Sequence, residues 1–226
     1  KKKIQKKYIG NGGCRMKKRR IFRNLNDKEF AWVLYDVGNS AYTMLACALI
    51  PIWFKAMAIG TKPGQLTSDR ATAYYSMAIA VLTIVVALLG PVCGAISDYK
   101  GMKKIFFTST VAVGVCGCIL NGFACQWIVF LLLFAVTKIF YNMSLMFYDS
   151  MLNDITTEER MDEVSSYGYA WGYLGSCIPF LIALVAYVLG PDMVGIISGK
   201  LSMAIGFAVT GLWWLLVTVP LIKNKR

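Results

Sequence analysis

The chain has 226 residues and a formal net charge of +12; 57% of its residues are hydrophobic and 16% charged, where a soluble domain carries about 25% charge. With a mean hydropathy of +0.56, composition points to an integral membrane protein and excludes an ordinary soluble domain. Nucleic acid is excluded as a partner by where the charge lies: 12 of the 24 Lys and Arg precede residue 30, and most others sit at the ends of apolar runs, as expected when positive charge is kept on one side of a bilayer.

In chain order, residues 1–29 form a basic arm with no apolar stretch that would make a secretory signal. Met16 opens a second basic stretch, so residues 1–15 read as an upstream extension; the arm as a whole reads as a tail held near anionic lipid by its charge. Six apolar runs follow, at about 30–58, 73–97, 105–124, 126–148, 164–190 and 199–222, each with the roughly 20 residues that cross the hydrocarbon core as a helix. The third and fourth are split only by Gly122–Gln126, which predicts a tight hairpin. A basic tail, 223–226, closes the chain. The expected fold is therefore all-α, with six transmembrane helices.

An even number of spans places both termini on one face of the lipid bilayer. That face holds 19 basic residues and the other holds four (Lys55, Lys62, Arg70 and Lys200), so both termini are expected in the cytoplasm. The acidic loop at 149–163 carries Thr156 and Glu159 at capping-box spacing, which predicts a short surface helix there. Trp32, Trp53, Trp127 and Tyr187 fall near span ends, where interfacial aromatics are expected. The seven cysteines are expected to act mostly as small buried apolar residues, with no disulfide framework. Pro51 and Pro179 are expected to bend the first and fifth spans.

Between the second and third spans lies the stretch that carries most function, Gly90-Pro-Val-Cys-Gly94-Ala-Ile-Ser-Asp98-Tyr-Lys-Gly101-Met-Lys103-Lys104. A lone carboxylate, a turn glycine and three lysines crowd one very short loop. Two further sets of residues stand out. Gly90 and Gly94, and Gly168, Gly172 and Gly175, have the spacing at which membrane helices approach closely, so the second and fifth spans are the expected packing faces. Asp36 and Asn39 in the first span are one helical turn apart, as are Lys138 and Asn142 in the fourth. An ionised group in hydrocarbon costs at least about 2.5–3.5 kcal/mol, so Asp36 and Lys138 are expected to face a shared polar cavity. There they either pair or hold opposite ends of a zwitterionic substrate. With no histidine, no metal-ligand cluster and no nucleophile–base pair, there is no candidate catalytic residue, metal site or cofactor site, and an enzyme is not expected.

The 94–104 stretch resembles the loop between the second and third helices of the major facilitator superfamily. Asp154-Ile-Thr-Thr-Glu-Glu-Arg160 is similar to the stretch after the fourth helix of that superfamily. Trp32–Tyr42 and Tyr148–Tyr173 resemble the branch that holds the fungal vacuolar amino-acid effluxers linked to autophagy and their bacterial relatives. The resemblance implies one six-helix half of a twelve-helix transporter, with a small-molecule substrate held between halves by the first and fourth helices of each. It implies that the second and fifth helices meet the other half, and that Asp98 engages a helix end of that half to hold the outward-facing state. Gly94, Gly101, Lys103 and Lys104 would complete this gating loop. Two positions depart from the family pattern: Tyr99 and Met102 stand where basic residues are usual. The expected function is thus half of a secondary transporter working by alternating access in a bacterial plasma membrane. Its solute would be an amino acid by family analogy, with proton coupling through Asp36. Its partner would be a second six-helix half or a second copy of the chain. The competing expectation is a truncated or non-transporting six-helix protein that only binds partners.

Overall fold

The computed structural model describes residues 24–99, 101–191 and 193–223. Most of the basic arm, Lys100 and the last three residues of the tail lie outside the described residues.

Helix α1, Asp27–Ala48, opens at a capping box. The Asn26 side-chain oxygen accepts from the backbone N–H of Lys28 and Glu29 at 2.9 and 2.8 Å. The Glu29 carboxylate accepts from the Asn26 N–H at 2.7 Å, which satisfies otherwise orphaned donors at the helix start. The helix breaks at Leu49 and resumes as α2, Ile50–Ala58, with Pro51 in its first turn. A proline tolerates that position because the N–H it lacks would be unpaired there anyway. The two pieces meet at a bend of 40°, so the first span is a broken helix.

Five further helices are each long and apolar enough to cross a membrane, and the bent pair, counted as one span, gives a sixth. They are α3 (Ser68–Asp98), α4 (Met102–Asn121), α5 (Trp127–Ile155), α6 (Met161–Val188) and α7 (Gly199–Lys223). The chain is an all-helical, multi-pass membrane protein. Between α5 and α6 the structure corrects the sequence reading. Helix α5 runs through Asp149 to Ile155, where a loop was expected. Glu158–Arg160 forms a single 3-10 turn without a side-chain cap. The Thr156 hydroxyl donates instead to the Glu29 carboxylate at 2.9 Å.

Helix pairing has an internal symmetry. Helix α1 packs on α6 and α7, and α5 packs on α3 and α4. Helices α4 and α7 meet in the middle, while α3 touches α4 as α6 touches α7. Exchanging the first three spans for the last three maps the main pairings onto one another, as two three-helix repeats would. Trp214 of α7 sits at the centre, fully buried. It fits because α1 and α4 present glycine to it: a Cβ on Gly38 would come within 3.1 Å of the indole, and one on Gly114 within 2.7 Å. Close approach at small residues replaces the water-driven burial that holds soluble cores.

Two other expectations are corrected by packing. Trp32 and Trp53 are buried, not interfacial; Trp32 stacks on Tyr148 and Trp53 packs on Phe207. Cys47, Cys116, Cys125 and Cys177 are exposed on the bundle, and only Cys93 and Cys118 are buried among the described cysteines. A thiol is tolerated on an exposed helix surface as well as in a core, so burial was not required.

Candidate functional site

Helices α1 and α5 run antiparallel along an aromatic seam. The Trp32 indole N–H donates to the Tyr148 carbonyl at 3.2 Å, and their rings stack at 4.3 Å. The Tyr35 and Ser144 hydroxyls share a hydrogen bond of 2.8 Å. Further along, the Thr43 and Tyr141 hydroxyls meet, and Tyr42 packs on Tyr141 and Trp214. Tyr42 and Tyr148 are fully or nearly fully buried, and their hydroxyls have no hydrogen-bond partner among the described residues. None of this seam was singled out from sequence. Its only signal is aromatic residues repeating every three, four or seven positions, at 32, 35 and 42 on α1 and at 141 and 148 on α5.

Beside the buried seam runs an accessible polar stripe on each helix. On α1 it is Asp36, Ser40, Thr43 and Cys47, and on α5 it is Lys138, Asn142 and Asp149; all are half-buried or exposed. Steps of three, four or seven residues keep each stripe on one helix face. The Asp36 carboxylate accepts from the Asn39 side-chain amide at 3.0 Å. Asn39 itself is buried, so it is a support for Asp36 more than an open group. The carboxylate fits against α6 because glycines stand opposite. A Cβ would lie 3.3 Å from Asp36 Oδ2 if placed on Gly168 and 3.0 Å if placed on Gly172.

Lys138 is held differently. Its ammonium lies 4.9 Å from the centre of the Tyr141 ring and 5.9 Å from that of Tyr42, within the range of cation–π attraction. Asn142 donates to the Lys138 carbonyl at 2.7 Å, so its amide is partly engaged by its own helix. No ion pair joins Asp36 and Lys138 among the described residues. The registration explains this. Tyr35 meets Ser144, Asp36 lies one residue nearer to Lys138 than Tyr35, and Lys138 lies six residues from Ser144, so the two charges are about five residues, or about 7.5 Å, apart along the axis.

The glycines divide. Gly168, Gly172 and Gly175 face Trp32, Asp36, Ser40 and Val37 of α1 within the same bundle. This corrects their expected role on a surface offered to another half: the residues opposite them are already present. A Cβ on Gly90 would meet Met146 at 3.7 Å, and one on Gly94 would meet nothing within 4 Å.

At the turn between α3 and α4, Gly101 adopts φ +93°, a left-handed conformation that favours glycine. Asp98 is exposed at the last residue of α3. Lys103 and Lys104 lie in the first turn of α4, both half-buried. Each charge stands at the helix end that disfavours it, since carboxylates belong at N-termini and ammonium groups at C-termini. Lys103 is compensated within the bundle: it bonds Asp154 at 2.8 Å and the Ser150 carbonyl at 3.0 Å. Asp98 makes no ion pair with a described residue. A second ionic node was not foreseen. Buried Glu29 pairs with Arg160 at 3.1 Å, and Arg160 also donates to the Asn24 carbonyl. The run Asn26-Asp-Lys-Glu29 before an apolar stretch signals the helix start at which Glu29 sits, and not its partner.

Comparison with known proteins agrees with this architecture. The family model described as "Vacuole effluxer Atg22 like" matches residues 26–224. An uncharacterized MFS-type transporter of Bacillus subtilis (strain 168), YxiO, is 35% identical over 207 residues, covering 90% of this chain and 48% of its own length. The chain thus spans about half the length of this curated relative. No solved structure matches it significantly. With six spans in two three-helix repeats and a family match over nearly the whole bundle, the chain belongs to the Atg22-like vacuole effluxer family, a transporter family of the major facilitator superfamily and not a family of enzymes.

Proposed function

We propose that the chain is one half of a secondary transporter that moves a small zwitterion of the amino-acid class by alternating access. The observation that carries this reading is a pair of opposite charges on facing helices, Asp36 and Lys138, that do not pair with each other. Two ionisable groups inside spans mark a pathway by default. The two positions are offset by about 7.5 Å along the helix axis, and one small molecule with both charges would bridge them. Its carboxylate goes to Lys138 and its ammonium to Asp36, and Asp36 carries the coupled proton when the substrate has left. The orphaned hydroxyls of Tyr42 and Tyr148 add hydrogen-bonding capacity close by. The exposed apolar line Tyr74, Met77, Val81, Ile84 and Leu88 on α3, with open Gly94 beside it, fits contact with a second six-helix half, and Asp98 supplies the charge that engages a helix N-terminus there. The termini then face the cytoplasm of a bacterial cell, where their lysines and arginines belong.

Two measurements test this. The native mass after mild extraction from its own membranes is expected to exceed one chain, through a second six-helix polypeptide or a second copy. A single 25.1 kDa chain would favour a protein that does not transport. In membranes holding the assembled protein, uptake or efflux of labelled amino acids is expected to be lost in Asp36→Asn and Lys138→Gln. Unchanged rates in both would end the pathway reading.

A further inference from the structure

At the end of the bundle opposite Asp98, α2, the α4–α5 turn, the end of α6 and the start of α7 enclose a cavity of about 260 Å³. Its walls include Trp53, Met57 and Met203, with Cys125 at the α4–α5 turn. This is just below the about 300 Å³ at which small-molecule sites begin, and far from the Asp36–Lys138 seam.

Three features give the cavity one electrostatic sense. The start of α7 lines it through Gly199 and Lys200, and a helix N-terminus carries partial positive charge. Lys200 adds a full positive charge in that first turn, where an acidic residue would be favoured and none is present. No described acidic residue lines the walls. Independently, Ser202 lines the cavity with 1% of its surface exposed. Its hydroxyl has no hydrogen-bond partner among the described residues, although a hydroxyl in a helix often bonds a carbonyl one turn back, as that of Thr218 does to Trp214. An unpaired buried hydroxyl is costly, and a ligand that pairs it would remove that cost.

We infer that this cavity binds an anionic amphiphile, a molecule with an apolar body and a carboxylate or phosphate head. The head lies at the α7 N-terminus against Lys200 and the Ser202 hydroxyl, and the body lies along Trp53, Met57 and Met203. The same chemistry comes from two sources, a free small acid or an anionic lipid of the adjacent leaflet. The inference does not depend on the transport reading, because it uses none of the seam residues.

Cys125 makes the test direct, since it is exposed and lines the cavity. Membranes carrying the intact protein are treated with iodoacetamide, a neutral reagent, and alkylation at each cysteine is followed by peptide mass spectrometry. Cys47, Cys116 and Cys177, also exposed, serve as internal controls. Octanoate is expected to slow alkylation of Cys125 and of none of the controls, and octanol, with the same chain and no charge, is not. Lys200→Gln is expected to raise the octanoate concentration for half-protection about tenfold, the scale of one charge-assisted hydrogen bond. Ser202→Ala, a small change that removes only the hydroxyl, is expected to raise it several-fold. The same measurement in vesicles of phosphatidylcholine with and without phosphatidylglycerol separates the sources. Protection by phosphatidylglycerol alone assigns the site to lipid, and protection by octanoate alone assigns it to a free acid. Equal protection by octanoate and octanol, protection untouched by both substitutions, or no protection by either anion overturns the site.

Discussion

Two ionic regions of this bundle hold similar residues in opposite ways. At the Asp98 end, Glu29 pairs with Arg160 and Lys103 with Asp154, the Ser150 and Asn24 carbonyls accept from Lys103 and Arg160, and the Thr156 hydroxyl donates to Glu29. Along the α1–α5 seam, among the described residues, Asp36 has an amide and Lys138 aromatic faces as partners. The first arrangement ties α1, α4, α5 and the start of α6 into one unit. The second leaves two charges inside the spans compensated only by weak, neutral partners. Charge that is satisfied internally stabilises a fold, while charge left incomplete in a bilayer needs something from outside the chain.

That contrast can be broken by substitution. The largest effect is expected for Asp36→Asn: transport falls about a hundredfold, equivalent to roughly 2.7 kcal/mol, while the amount of folded protein in the membrane stays unchanged. A loss of folded protein in place of a loss of rate would make Asp36 structural. Next comes Glu29→Ala, which removes an acceptor serving Asn26, Thr156 and Arg160. Stability is expected to drop by about 2–3 kcal/mol, read as a lower thermal midpoint in detergent, with the transport rate per folded molecule kept. If the rate falls and the midpoint does not, the division between the two regions is wrong.

Gly172→Ala sharpens the comparison. Its new methyl group would sit 3.0 Å from Asp36 Oδ2 and from the Ser40 hydroxyl, so a tenfold loss of transport, about 1.4 kcal/mol, is expected. Gly94→Ala, which meets open space in this bundle, is expected to leave stability, read from the thermal midpoint, within about 0.5 kcal/mol of the parent. Equal effects from both would show that helix propensity, not the Asp36 contact, is at stake. The smallest effect is Lys103→Gln. Because Asp154 is 58% exposed, losing this pair is expected to cost only about 0.2–1 kcal/mol, measured by the same melt.

Particular residues show why some of this was legible in the sequence and some was not. The turn at Gly101 was readable because a positive φ needs glycine locally. Asp36 and Lys138 stood out because ionisable residues inside apolar runs are rare. The α6 glycines were recognised as packing residues, but their partner was assigned wrongly. Spacing shows that a helix has a close-packing face, and nothing in one helix says which neighbour fills it. Trp32 and Trp53 failed for the same reason: a tryptophan near a span end has the same local sequence whether its ring turns toward lipid or into the bundle. Glu29 and Arg160 are 131 positions apart, so only the folded chain brings them together.

The sequence by itself determined the class, the number of spans and the uneven charge between the two ends. Each of these depends on local composition and on the length needed to cross hydrocarbon. Only the tertiary structure decided that Asp36 and Lys138 stand apart, that the α6 glycines shelter Asp36, and that the cavity beside Lys200 leaves Ser202 unpaired. Those features depend on axial register and on the distance between helices, which are set by packing across the bundle and are written in no single segment.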